Sequence, residues 1–241
     1  MLEGMIRKLL AIIALAFSAV PAAAADRRYS VSDFDRIVVE GPYIVRLTTG
    51  APTTARASGS QAALERVLID GSGQTLRIRR NRAYWGGNSG AQEGPLTIEL
   101  TTRQLRSVRL VGPARVEVDK VEGQRVDLIV EGSGQLRAAE IEADNLSIGM
   151  LGSGRMILAG TAESLDANLQ GTGDLDASAL RADNATVTAS TVGSVTLGVN
   201  RAVTVNALGL GEVDIVGSPA CTIRGPNAAQ VRCSSNQRQN R

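Results

Sequence analysis

A glycine-centred segment returns about every 20 residues through the second half of this chain, and that period restricts the fold more than any other feature. The copies read Gly112-Pro-Ala-Arg-Val116, Gly132-Ser-Gly-Gln-Leu136, Gly152-Ser-Gly-Arg-Met156 and Gly171-Thr-Gly-Asp-Leu175. A weaker Thr191-Val-Gly-Ser-Val195 and a final Gly209-Leu-Gly-Glu-Val213 follow. Their starts are spaced by 20, 20, 19, 20 and 18 residues. A period of this length marks a solenoid, in which each repeat can bury its apolar side only against its neighbours. A second register runs between these turns, in Glu142-Ala-Asp-Asn-Leu146, Thr161-Ala-Glu-Ser-Leu165 and Arg181-Ala-Asp-Asn-Ala185. Each repeat therefore holds two turns separated by two short runs. Those runs alternate apolar and polar residues, as in Leu165-Asp-Ala-Asn-Leu169 and Val203-Thr-Val-Asn-Ala207. Alternation with period two between turn residues reads as strand.

The pattern predicts an all-β chain: a right-handed parallel β-helix or β-solenoid with coils of about 20 residues and a broader, irregular N-terminal layer. Inward positions should stack in columns, with Leu136, Met156, Leu175, Val195 and Val213 in one and Leu146, Leu165, Ala185 and Val203 in another. Aromatic residues make up only 2% of the chain while glycine reaches 26 residues, which suits a narrow interior and sharp turns. An antiparallel sandwich is the alternative, but its turns would recur at roughly 8–12 residues throughout. In the first half, the stretch 34–47 reads as two strands around Gly41-Pro42, with further strands at 76–79 and 96–100 and a turn or two of helix near 61–68. One domain over residues 26–233 and a disordered polar tail at 234–241 are expected.

Arg7 and Lys8 precede an apolar run over 9–20, which leads into Pro21-Ala-Ala-Ala-Ala-Asp26. A basic start, a short apolar core and a small-residue site have the form of an export signal, here residues 1–25, cleaved after Ala25. The apolar run falls short of the ~20 residues of a membrane helix, and no transmembrane segment is expected in the mature chain. The only two cysteines, Cys221 and Cys233, lie close together in a chain bound for an oxidising compartment and are expected to form a disulfide.

Histidine is absent, which removes Ser-His-Asp triads, Cys-His pairs and histidine-ligated zinc. Carboxylates are then the only credible acid and base groups. Asp174 with Asp176, and Glu212 with Asp214, sit two residues apart and share one side of a strand, as a polysaccharide-cleaving carboxylate pair would. A solvated polar face explains the same spacing, and no catalytic residue is assigned. Gly171-Thr-Gly-Asp-Leu-Asp176 resembles one calcium-binding nonapeptide, but those work in tandem copies, so neither metal nor cofactor is expected. The Gly-Ser-Gly turns lack the Gly-Lys-Ser/Thr and the following helix of a phosphate loop.

Charge is uneven: residues 26–120 carry 15 basic and 10 acidic groups, and residues 121–241 carry 9 and 13. Arg77, Arg79, Arg80 and Arg82 form the densest basic cluster, directly before Tyr84 and Trp85. Arginine beside aromatic residues is the composition of a binding hot spot, and this edge is the candidate contact for an acidic glycan or an envelope protein. A nucleic-acid partner is not expected of an exported chain. The opposite charge of the two halves would also suit head-to-tail self-association.

The stretch 34–47, the Leu76-Arg-Ile78 strand and the serial Gly-Ser-Gly turns together resemble the putative auto-transporter adhesin head GIN domain, a family of exported bacterial domains of unknown function. The resemblance covers about 33–217 and departs at Thr191, where the first glycine of the turn is lost. It implies a β-solenoid fold and a cell-envelope location, periplasmic or at the cell surface, and it has no catalytic residues to transfer. The expected function is a non-enzymatic adhesion, binding or scaffolding module, with a polysaccharide-active enzyme as the alternative.

Overall fold

The computed structural model of the chain describes residues 25–81 and 95–233. Residues 1–24 of the expected export signal, the segment holding Arg82, Tyr84 and Trp85, and the tail from Ser234 lie outside the described residues. Short strands come first: β1 (Ala25–Tyr29), β2 (Arg36–Glu40), β3 (Tyr43–Thr48), β4 (Thr54–Gly59), β5 (Val67–Ser72), β6 (Thr75–Arg80), β7 (Leu96–Thr101) and β8 (Ser107–Val111). A six-residue helix, α1 (Gln61–Arg66), sits between β4 and β5, capped by the Ser60 side chain accepting from the Ala63 N–H at 3.2 Å. Long strands follow: β9 (Arg115–Gly132), β10 (Gln135–Gly152), β11 (Arg155–Gly171), β12 (Asp174–Thr191) and β13 (Val195–Ala207). The chain closes with β14 (Val213–Gly217), β15 (Ala220–Arg224) and β16 (Val231–Cys233).

The long strands pair in parallel with one coil as the register offset, so Gln135 lies opposite both Arg115 and Arg155. Each is one continuous strand of 17 or 18 residues in β9 to β12 rather than two short ones, because pairing carries on around the acidic corner between its halves. The first halves build a front face, extended by β3, β7, β4 and β1 at one end and by β14 and β16 at the other. The second halves build a back face, extended by β8, β2, β6 and β5 and ended by β15. The coils stack into a β-solenoid of about 6 turns.

Both expected interior columns are present. The front column runs Ala57, Ile98, Val45, Val116, Leu136, Met156, Leu175, Val195, Val213 and Val231, all buried. The second runs Val126, Leu146, Leu165, Ala185, Val203 and Cys221. The N-terminal part is less separate than its sequence suggests. β2, the Gly41-Pro42 turn and β3 form a coil of the same stack, lying directly against β8, Gly112-Pro113 and β9. The Gly41 N–H donates to Val111 O at 3.1 Å, just as the Gly112 N–H donates to Glu131 O at 2.8 Å. The broader layer consists of antiparallel additions, with β1 and β4 beyond β7 and β5 beyond β6.

The turn glycines are required twice over. Gly152 has φ of +119°, and a Cβ there would also stand 2.6 Å from Gly132 O of the adjacent coil. Thr191 takes the equivalent place without a positive φ. Its buried hydroxyl faces Gly171 O and Gly173 O at 3.3 and 3.4 Å and accepts from the Gly193 N–H at 3.0 Å, adding side-chain bonds to the backbone bond from the Val192 N–H to Gly171 O that this turn shares with those before it.

At the far end no further coil covers the core among the described residues. Cys221 follows Val203 in one column, Cys233 follows Ile215, and the two cysteines are joined as a disulfide across a Cα separation of 6.8 Å. The bridge fastens the last strand of the back face to the last strand of the front face.

Two outcomes test this architecture. Met156→Asp inserts a charge between Leu136 and Leu175 and should cost about 3 kcal/mol or more, read as a collapse of the urea midpoint; an unchanged midpoint would refute the column. Replacing both cysteines by serine should lower stability by about 2–3 kcal/mol and raise amide exchange first in β15 and β16.

Candidate functional site

β6 alternates as its sequence requires, with Leu76 and Ile78 fully buried and Arg77 and Arg79 turned outward. Arg79 pairs with Asp70 on the neighbouring strand at 3.1 Å, and that carboxylate holds the guanidinium above its ordinary pKa. The pair is incomplete: Nε of Arg79 and Oδ1 of Asp70 are shielded and have no hydrogen-bond partner among the described residues. Arg77, Arg79 and Arg80 line one concavity of about 510 Å³ together with Glu40, a residue the sequence did not single out. Arg82, Tyr84 and Trp85 fall outside the described residues.

The carboxylate pairs proposed from spacing do share the front face, and all but Asp176 are occupied in holding coils together. Asp174 accepts from the backbone N–H and hydroxyl of Ser194, both at 3.0 Å, and from Arg155 Nη2 at 2.8 Å. The Ser194 backbone bond first, and then Arg155, keep its carboxyl below the ordinary 3.8. Asp176 accepts from the hydroxyl and N–H of Ser178, at 2.7 and 3.2 Å. Glu212 and Asp214 both pair with Arg232 of β16. A glycosidase acid needs its proton retained by a raised pKa. Asp174 is shifted the other way.

A groove of about 550 Å³ runs along the corner between the two halves of each coil, lined by Glu122, Glu142, Asp144, Glu163, Arg181 and Asp183. Register places Asp144, Glu163 and Asp183 on successive coils, about 4.8 Å apart. Lys120 reaches Glu122 and Glu142, each at 2.9 Å, which holds its ammonium well above its ordinary pKa. Asp183 pairs with Arg201 at 3.3 Å. The sequence carried the signal in its second register, where an acidic residue precedes Asn145, Ser164 and Asn184, although there it read only as a turn. Among the described residues no group of three or more Cys, Asp and Glu side chains has an arrangement that would hold a metal ion.

Residues 33–219 match the family described as "Putative auto-transporter adhesin, head GIN domain". The chain belongs to this family. Its GIN domain is similar in structure to a putative adhesin from Bacteroides fragilis, with a TM-score of 0.75 and 19% identity over 84% of this chain and 94% of that one. A putative adhesin from Parabacteroides merdae matches with a TM-score of 0.64 and 16% identity over 88% and 96%. A putative lipid binding protein from Parabacteroides distasonis matches with a TM-score of 0.61 and 17% identity over 89% and 96%. At these identities the likeness is one of fold. No curated protein matches the GIN domain of this chain. Among its described residues no helix is long and apolar enough to cross a membrane.

The depressed Asp174 carboxyl sets a pH dependence. Its contribution to stability is whole above its unfolded value near 3.8 and is lost as pH falls through the lower folded value. The side chain is 36% exposed, so the effect is small. Between about pH 4 and pH 2 the melting temperature of Asp174→Asn should fall less steeply than that of the wild type. Parallel acid limbs would show that the carboxylate is not held in this way.

Proposed function

We propose that this GIN domain is an exported, non-enzymatic binding module of the cell envelope that adheres through its rigid outer faces to an acidic glycan or an envelope protein. The observation that carries the reading is the use of the front-face carboxylates. Asp174, Glu212 and Asp214 are bound by arginines on neighbouring coils, so they cross-link the stack and are not poised over a substrate. The names of similar structures, two of them putative adhesins, support the same direction. Export is supported by the leader-like residues before Asp26 and by the disulfide. Cleavage after Ala25 would leave Asp26 leading β1, where its carboxylate already binds Arg56 and Ser58.

The concavity of Arg77, Arg79 and Arg80, with Arg82, Tyr84 and Trp85 following in sequence, is the proposed contact for the acidic partner. The last back-face strand, β15, pairs only with β13 among the described residues, and its other edge would offer a second copy a place to pair, the contact that head-to-tail association would use. A polysaccharide-cleaving activity is the second reading, and the stacked carboxylates of the corner groove are the observation in its favour.

Adhesion of the exported protein to isolated envelope fractions, measured against salt, tests both. Binding that weakens with salt and releases no new reducing ends is expected. Replacing Arg77 and Trp85 together by alanine should weaken adhesion about tenfold without changing the melting temperature. Undiminished adhesion at low salt would remove the edge from the proposal. New reducing ends that disappear in Glu163→Gln would replace the binding reading by the enzymatic one.

A further inference from the structure

Outside the basic edge, the front face holds a second, unassigned cluster of arginines. Gln135 of β10 lies opposite Arg115 of β9 on one side and Arg155 of β11 on the other. Two residues along the same strand, Arg137 faces outward between Glu117 and Ile157. The three arginines line one shallow concavity of about 210 Å³ whose floor is the stacked backbone of the coils. Their commitments are light. Arg155 is held by Asp174, whereas among the described residues Arg115 bonds only the neutral Gln135 amide, through Nε at 3.2 Å. Arg137 has no ion pair among the described residues, and the one carboxylate lining the concavity, Glu117, is engaged by Arg46 at 3.7 Å. The groove thus presents guanidinium groups with donors to spare, on strands that cannot move apart without breaking the ladder. Ile157, half-buried, supplies an apolar surface beside them.

We infer that this groove binds an anionic glycan, with Arg115, Arg137 and Arg155 as the contacts for its carboxylate or sulfate groups. The inference rests on the binding-module reading and deepens it by assigning a site and a ligand class. Arg115 and Arg155 stand two coils apart, roughly 10 Å along the stack. Regularly spaced cations suit a polymer with regularly spaced anions, and planar guanidinium forks bind carboxylate and sulfate in two-pronged fashion. An extended chain can lie along the flat ladder, while Ile157 meets the apolar face of a sugar ring. A lipid surface would call for protruding apolar side chains around the cations, and in this concavity Ile157, itself half-buried, is the outward apolar residue.

The test is calorimetric titration of the exported protein with a heparin-derived oligosaccharide and an oligogalacturonate, against a neutral cello-oligosaccharide and vesicles containing phosphatidylglycerol. Binding of an anionic oligosaccharide is expected to weaken with salt. It should fall about tenfold or more in Arg115→Ala/Arg137→Ala, return in part in Arg115→Lys/Arg137→Lys, and persist in Arg77→Ala. Wild-type affinity in the double alanine variant overturns the inference, as does equal affinity for the neutral oligosaccharide, and so does arginine-dependent binding of the vesicles in place of the glycans. Adhesion of the wild type to envelope fractions, measured in parallel, separates the two levels. If it persists while the groove binds no anionic glycan, the site is wrong and the binding-module reading stands; if it is absent as well, both fall.

Discussion

The backbone ladder between successive coils is the interaction on which every other feature of this protein depends. Each coil can close its hydrogen bonds only on a neighbour displaced by one repeat, about 4.8 Å along the axis. In-register stacking keeps the period of the sequence, because a residue gained or lost along a face of a coil would turn inward side chains to the solvent. The irregularities are accordingly confined to corners. Register shifts fall between Ala138 and Ile141 in β10 and between Ile157 and Ala159 in β11, where a coil one residue shorter is absorbed away from the columns. The same closeness leaves a Cβ no room at Gly152 and Gly171, whereas Thr191 joins the column with a φ that is not positive and hydrogen-bonds to the glycine carbonyls of the coil before.

A stack held by its neighbours is vulnerable at its ends, and this one is closed differently at each. At the N-terminal end the parallel order gives way to antiparallel strands, with β1 and β4 completing the front face and β5 the back, while α1 buries Ala63 and Leu64 alongside them. At the other end the last coil has shrunk to β15 and β16, whose inward residues Cys221, Ile223 and Cys233 are only partly covered. The disulfide supplies a constraint that does not depend on a further coil, and it is available only in an oxidising compartment.

The outer faces inherit the regularity of the interior. A position that faces outward in one coil faces outward in the next, so charges of opposite sign become rungs, as in Arg46 with Glu117, Arg155 with Asp174 and Arg232 with Asp214. Each exposed rung contributes little stability, but together they neutralise much of the front face. Groups left out of the ladders are therefore informative. Arg115 and Arg137 on the front, and Asp144 and Glu163 at the corner, have no ion pair among the described residues, and they are the places where a partner would find unspent interactions.

Fold class, coil length and both interior columns were legible in the sequence, because two periodicities coincide there. Strand alternation decides which of Leu136, Met156 and Leu175 point inward, and the 20-residue repeat decides that they meet. The cysteine pairing was legible for a similar reason, since compartment and proximity leave the two residues few other fates. Tertiary structure alone decided that β2 and β3 belong to the stack, for their coil is separated from the neighbouring coil of β8 and β9 by β4, α1, β5, β6 and β7, and no local period spans such an insertion. It alone decided that Asp174 and Asp214 are rungs and that three arginines from three coils share one groove. Periodicity specifies the direction in which a side chain points, but which charges neutralise one another depends on reach across the 4.8 Å step, and that is settled only when the coils are stacked.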